Sequence, residues 1–351
     1  MKKFTFVLLI VLSFLLLTGQ GCIGVRKKEP VVGPPDAAVW VSRDRAGTWQ
    51  QFALMPTIQG VKNLGDLSLN LLVFDPQDPE IIYWGAGDFG LLVSYDAGRS
   101  WQETKGLLRA RVNDLVVDPS ARNIVYASIG NRIFKTTDCC YSWQDIYIDA
   151  SGSIINALAL DPANPFRILA GLADGRLIRS EDAGLNWSVF HDFKTSIKQI
   201  LYNPREPRII YVGTNSEGIF RSGDAGSSWE KNQALEKISG AKRFHYGFFD
   251  ETQRDALYVL TDAGFLRSNE EINEWQEYKL LTPPGRVRIT AFTANPINPN
   301  QVYYATESTF YKSENGGQTW ITQEMPTTSR PVYLTTYPAN PNILYMGAAK
   351  K

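Results

Sequence analysis

Asp88-Phe-Gly90 and Asp262-Ala-Gly264 each set a carboxylate two residues ahead of a glycine, and Asp174-Gly175 and Glu217-Gly218 lie between them. Two carboxylates facing one groove at about 5–9.5 Å are the machinery of glycoside hydrolysis. Asp-Gly pairs are also ordinary hairpin residues. His191 and His245 stand far apart, so no H-E-x-x-H zinc motif can be written. Three Cys cannot make a four-cysteine zinc site. Cys139-Cys140 leaves open a vicinal disulfide or two thiols in a turn. No Ser/His/Asp set and no Gly-rich phosphate loop is evident. Neither a metal nor a cofactor is expected.

The elements that would position these residues come from an eight-residue phrase. Ser94-Tyr-Asp96-Ala-Gly98-Arg-Ser100-Trp101 recurs as Ser180-Glu-Asp182-Ala-Gly184-Leu-Asn-Trp187 and Ser222-Gly-Asp224-Ala-Gly226-Ser-Ser-Trp229. Looser copies carry Asp44, Gly47 and Trp49, then Asp138 and Trp143, then Asn315 and Trp320. Ser268 to Trp275 is the most degraded copy. Their starts are spaced 52, 42, 44, 42, 46 and 45 residues apart, a period that suits four-stranded propeller blades. In each copy the Asp accepts backbone N–H bonds and Gly supplies a positive φ. Asp44, Asp96, Asp138, Asp182 and Asp224 therefore read as turn stabilisers. Trp49, Trp101, Trp143, Trp187, Trp229, Trp275 and Trp320 read as core.

Between phrases the strands are legible. The segment 114–119 is an innermost strand (a) with its turn, 123–128 strand b, 132–136 strand c, and Trp143 opens strand d. The a–b turn recurs at Asp75-Pro76, Asp161-Pro162, Asn203-Pro204 and Asn295-Pro296. Residues 38–54 hold only the second half of a blade and 331–347 only the first half. The expected fold is all-β: a seven-bladed propeller of four-stranded antiparallel blades, closed by a blade shared between the two terminal segments. Closure also removes an exposed sheet edge.

The phrase resembles the Asp-box, or BNR repeat, of sialidases, sortilins and the photosystem II stability/assembly factor family. Over about 310 residues the chain is similar to bacterial relatives of that last family, with the sortilin propeller a more distant resemblance. The resemblance implies a membrane-tethered scaffold or assembly factor that binds another protein, such as a membrane-protein subunit, and is not an enzyme. The sialidase phrase has only a chance echo in Phe166-Arg167-Ile168-Leu169. The alternative is a glycan-active or glycan-binding propeller. Xyloglucanase-type enzymes share such blades, and a b–c hairpin Asp of the Asp-x-Gly kind is one of their catalytic carboxylates.

Partner contacts are expected on the face that carries the d–a loops and b–c turns. Alignment on the a–b turn gives Asn70, Asn113, Asn156, Lys198, His245, Thr290 and Val332 at equivalent places near one mouth of the channel. Six are polar, which fits either a wet channel or a binding ring. The d–a loops add Arg109, Arg111, Arg243, Arg286 and Arg288. Overall the chain has 36 Lys+Arg against 36 Asp+Glu, with none of the basic excess of a nucleic-acid binder.

Met1-Lys2-Lys3 followed by a 14-residue apolar run, Phe4 to Leu17, reads as a secretion signal (1–21). Thr18 to Cys22 resembles a bacterial lipoprotein cleavage box, which implies lipid attachment at Cys22. Residues 22–37 read as a Pro-containing tether and 38–351 as the propeller. The expected location is the outer side of the plasma membrane, periplasmic or cell-surface.

Overall fold

A computed structural model describes residues 36–253, 255–282 and 286–351. The secretion signal, Cys22 and nearly all of the tether therefore lie outside the described residues. Seven four-stranded antiparallel sheets form a ring. Blade 1 consists of Leu71–Phe74, Ile82–Gly85, Leu91–Ser94 and Gln102–Glu103, strands a to d. Blades 2 to 6 repeat that meander over residues 112–148, 155–192, 197–231, 244–277 and 291–324. Blade 7 takes its strands a and b from Arg330–Tyr337 and Asn340–Ala349, and c and d from Ala38–Ser42 and Gln50–Phe52. The latch is the antiparallel pairing of Ala38–Ser42 with 344–348. Asp36 reinforces it, accepting bonds from the Thr328 backbone N–H (2.7 Å) and the Ser329 hydroxyl (2.7 Å).

The repeated phrase folds as one turn in six of its copies. In blade 1, Ser94 Oγ accepts the Gly98 N–H at 2.8 Å, and Asp96 Oδ1 accepts the Ser100 N–H at 2.8 Å. The same pair of bonds joins Thr136 to Cys140 and Asp138 to Ser142, and likewise Ser313 to Gly317 and Asn315 to Thr319. These donors hold the carboxylates low: Asp44, Asp138 and Asp224 each titrate at about 2. They stay charged and cannot serve as proton donors near neutrality.

The turn glycine also touches the neighbouring blade. A Cβ on Gly184 would lie 2.5 Å from Ile146, one on Gly226 2.3 Å from Phe190, and one on Gly317 2.5 Å from Tyr278. Each contacted residue belongs to the preceding blade's outer edge. In the first phrase the residue at this place is Ala46, whose N–H bonds Ser42 Oγ at 2.8 Å with φ 67°. Gly47, read from the sequence as the turn glycine, is one place late.

One other expectation changes, and one open alternative is settled. Only Trp101 of the seven phrase tryptophans is fully buried; the other six are half-buried, because strand d is the blade's outer edge. Trp101 is covered by an extra hairpin, Leu54–Thr57 paired with Gly60–Asn63; its backbone N–H donates to Leu54 O at 2.8 Å and its indole N–H to Phe52 O at 3.0 Å. That hairpin lies in the 52-residue spacing between the first two phrases. Cys139 and Cys140 are unbonded thiols, the first exposed and the second buried.

Candidate functional site

The inner strands hold one another through side chains that cross between blades. Asn70 Nδ2 donates to Val112 O (2.6 Å), Asn113 Nδ2 to Ile155 O (3.1 Å) and Asn156 Nδ2 to Ile197 O (3.0 Å). A second tier lies deeper along the strands. Asp114 accepts the Leu158 N–H (2.8 Å), Gln199 the Gly247 N–H (2.8 Å) and the Tyr246 hydroxyl the Phe292 N–H (2.7 Å). Sequence reasoning found the first tier as a polar ring but missed its use: the amide groups stitch blade to blade. Nothing in the sequence marked the second tier. Desolvation pushes Asp114 up to about 7.

The d–a and b–c connections share one face of the ring, called here the loop face. Five b–c turns bring an acid to it. Asp174 is bonded by Arg176 Nε (2.8 Å) and Glu217 by Lys231. Asp262 receives His245 Nε2 at 2.7 Å and lies 3.7 Å from Arg243 Nε. Asp88 and Glu307 are exposed and have no hydrogen-bond or ionic partner among the described residues.

Asp88 sits in a short 3-10 turn, Gly87–Phe89. Asn70 anchors that turn, its Oδ1 accepting the Gly87 N–H at 3.0 Å. Gly90 follows with φ 100°, a backbone conformation that glycine permits. The Phe89 ring lies between two cations, Lys62 Nζ at 5.1 Å and Arg109 Cζ at 5.2 Å from its centroid. Lys62 comes from the extra hairpin, so the insertion stands beside Asp88. Arg109 is also bonded to Glu103. Glu103, Gln102 and Lys105 form one wall of an open groove of about 650 Å³, and Met55 to Ile58 of the hairpin form the other. A free carboxylate and a half-buried aromatic ring are therefore neighbours on the b–c turn of blade 1, and the groove lies between the hairpin and that blade's outer strand. Sequence reading found Asp88, Asn70 and Arg109; Phe89, Lys62 and the hairpin escaped it.

A second cluster lies on blades 5 and 6. His245, Thr261, Asp262 and Gly264 face residues 286–289 across a cavity of about 370 Å³. Lys198 is exposed on the blade 4 inner strand, and Arg111 is exposed ahead of blade 2. The ring thus scatters the predicted contact residues around one face. Asp88 and Asp262 are three blades apart by the shorter path, and Asp88 and Glu307 two.

No family model matches this chain. A xyloglucanase from Paenibacillus sp. is 26% identical over 292 residues, which is 72% of this chain and 26% of that protein. An oligoxyloglucan-reducing end-specific xyloglucanase from Emericella nidulans is 28% identical over 118 residues, 32% of this chain and 14% of that protein. The chain thus spans about a quarter or less of these relatives' own length. Among solved structures, the GH74 xyloglucanase from Xanthomonas campestris superposes with a TM-score of 0.65 at 16% identity, over 86% of this chain and 52% of that one. YCF48 bound to D1 peptide superposes with a TM-score of 0.60 at 18% identity, over 81% and 94%. At such identities the structures establish the fold alone. The expectation that the chain is not an enzyme is nonetheless overturned, because the named relatives are xyloglucanases and point to a glycoside hydrolase-like protein.

Proposed function

We propose that this chain is a glycoside hydrolase-like propeller directed at xyloglucan-type glucans, with Asp88 as its acting carboxylate. The observation that carries the reading is the free Asp88 carboxylate on the loop face of blade 1, next to Phe89, whose ring centroid lies 5.1 Å from Lys62 of the inserted hairpin. A carboxylate without an internal partner can accept a hydroxyl or exchange a proton. The 292-residue similarity to a xyloglucanase supports the substrate class.

Hydrolysis needs a second carboxylate within about 10 Å. The other free acid of the five turns, Glu307, belongs to a blade two steps away. Export fits a polysaccharide substrate, and one structural neighbour is itself an extracellular domain.

The test pairs binding with turnover. Xyloglucan oligosaccharides are titrated calorimetrically and reducing ends are counted, for the wild type and Asp88→Asn. Expected are binding by both proteins and a loss of turnover of about 10²-fold or more in the variant. No binding and no release by the wild type would end the reading. A peptide partner on the loop face is the second reading, favoured by the near-complete coverage of YCF48. Binding of extended peptides in place of glucans would select it.

A further inference from the structure

The cavity on blades 5 and 6 differs in charge from the Asp88 groove. Its one carboxylate, Asp262, is already engaged by His245 at 2.7 Å and by Arg243 at 3.7 Å. Across from it, Arg286 and Arg288 are exposed and have no partner among the described residues. Three guanidinium groups, an imidazole and a single acid therefore lie in or beside this cavity, in a chain whose formal charge is zero. Between the two free arginines lies Val287, with Ile289 just beyond, so the cavity wall alternates cationic and apolar. Its volume, about 370 Å³, falls in the range of small-ligand pockets.

We infer that this cavity takes a carboxylate-bearing sugar, a uronate unit, with Arg286 and Arg288 on the carboxylate and Val287 and Ile289 against the ring. Guanidinium groups bind carboxylates in two-point geometry. The apolar residues match the C–H face of a pyranose, whereas a side-chain carboxylate of a peptide offers no such face. The class of carrier rests on the glycan reading above; the anion preference rests on the arginines alone.

The experiment is calorimetric titration of the whole chain with four probes: a tetragalacturonate, its carboxyl-reduced neutral counterpart, a xyloglucan heptasaccharide and a tetraglutamate peptide. Wild type is compared with Arg286→Gln/Arg288→Gln and with Asp88→Asn, each variant first shown to keep the wild-type unfolding midpoint. Expected is binding of tetragalacturonate that weakens at least tenfold in the double arginine variant. It should also weaken with rising salt, vanish in the neutral counterpart and survive Asp88→Asn. Equal binding of charged and reduced tetramers would overturn the proposal, as would an unaffected arginine variant. Tetraglutamate bound as tightly as the uronate would overturn the sugar class. Failure here with intact heptasaccharide binding leaves the xyloglucan reading standing; uronate binding without heptasaccharide binding does the reverse. Arg286→Lys/Arg288→Lys, which keeps the charge and loses the fork, should recover only part of the affinity.

Discussion

Gly226→Ala tests whether the repeated turn is also the joint between blades. Gly226 has φ 90°, which costs a non-glycine residue about 1–2 kcal/mol. Strain of that kind is bearable here, since Ala46 and Cys140 occupy the same place in their turns at φ 67° and 70°. What sets Gly226 apart is its neighbour. The new methyl would stand 2.3 Å from Cε1 of Phe190 on blade 3. Phe190 also carries the Arg179 guanidinium, 3.7 Å from its ring centroid. Overpacking of this kind costs about 1–3 kcal/mol. The sum is a loss of roughly 2–5 kcal/mol. The assay is urea unfolding followed by tryptophan fluorescence and far-ultraviolet circular dichroism, whose transitions must coincide before a free energy is taken. Phe190→Leu in the same background should relieve the clash and leave the backbone strain, giving a coupling of at least about 1 kcal/mol between the two sites. A Gly226→Ala loss below about 1 kcal/mol, or no coupling with Phe190→Leu, would refute the joint.

Three further outcomes are expected. Asn156→Leu leaves the Ile197 carbonyl without its side-chain donor and should cost about 1–3 kcal/mol by the same unfolding assay. The stability–pH profile should fall on both sides of a mildly acidic maximum. Asp44, Asp138 and Asp224, depressed to about 2, contribute stability that is complete above the ordinary carboxylate value and lost as pH drops toward 2. Asp114, raised to about 7, acts with the opposite sign: stability declines as pH rises from about 4 to about 7, and Asp114→Asn should flatten that limb of a thermal-midpoint titration. Finally, an alkylating reagent followed by peptide mass mapping should label Cys139 in the native protein and Cys140 only after unfolding. Cys140 is buried, and desolvation pushes its thiol up to about 12.

The ring was legible in the sequence because six of the seven blades spell their sharpest turn with side chains that have few substitutes. An Asp or Asn must accept the N–H four residues on, and a small residue must take a positive φ. Those demands recur at fixed spacing and survive the drift of the strands between them. The latch was legible for the same reason, since each terminal segment holds half of a recurring unit. The hairpin at Leu54–Asn63 was not, although the long first spacing measured its room: its apolar residues Ile58 and Val61 are exposed, so no burial pattern marks it as strand. Asp88 was visible as a residue but its surroundings were not: Lys62 reaches the Phe89 ring only when the insertion folds back over blade 1. Asn70, Asn113 and Asn156 show the converse, since a polar ring at a channel mouth suits binding and stitching equally until the acceptor carbonyls are seen.

The latch also dictates an order of events. Within a blade, strands find partners about ten residues away, and such loops close quickly. Ala38 must find Ala348, a separation at which chain closure costs on the order of 5 kcal/mol of entropy before any contact repays it. Blades 1 to 6 can therefore collapse as a growing arc while the seventh waits. Until Arg330–Ala349 emerges, Ala38–Ser42 and Gln50–Phe52 form only a two-stranded ribbon with an open edge, a template for another chain's strand. The slowest step of folding and the step most exposed to aggregation are then the same event, the arrival of the last two strands.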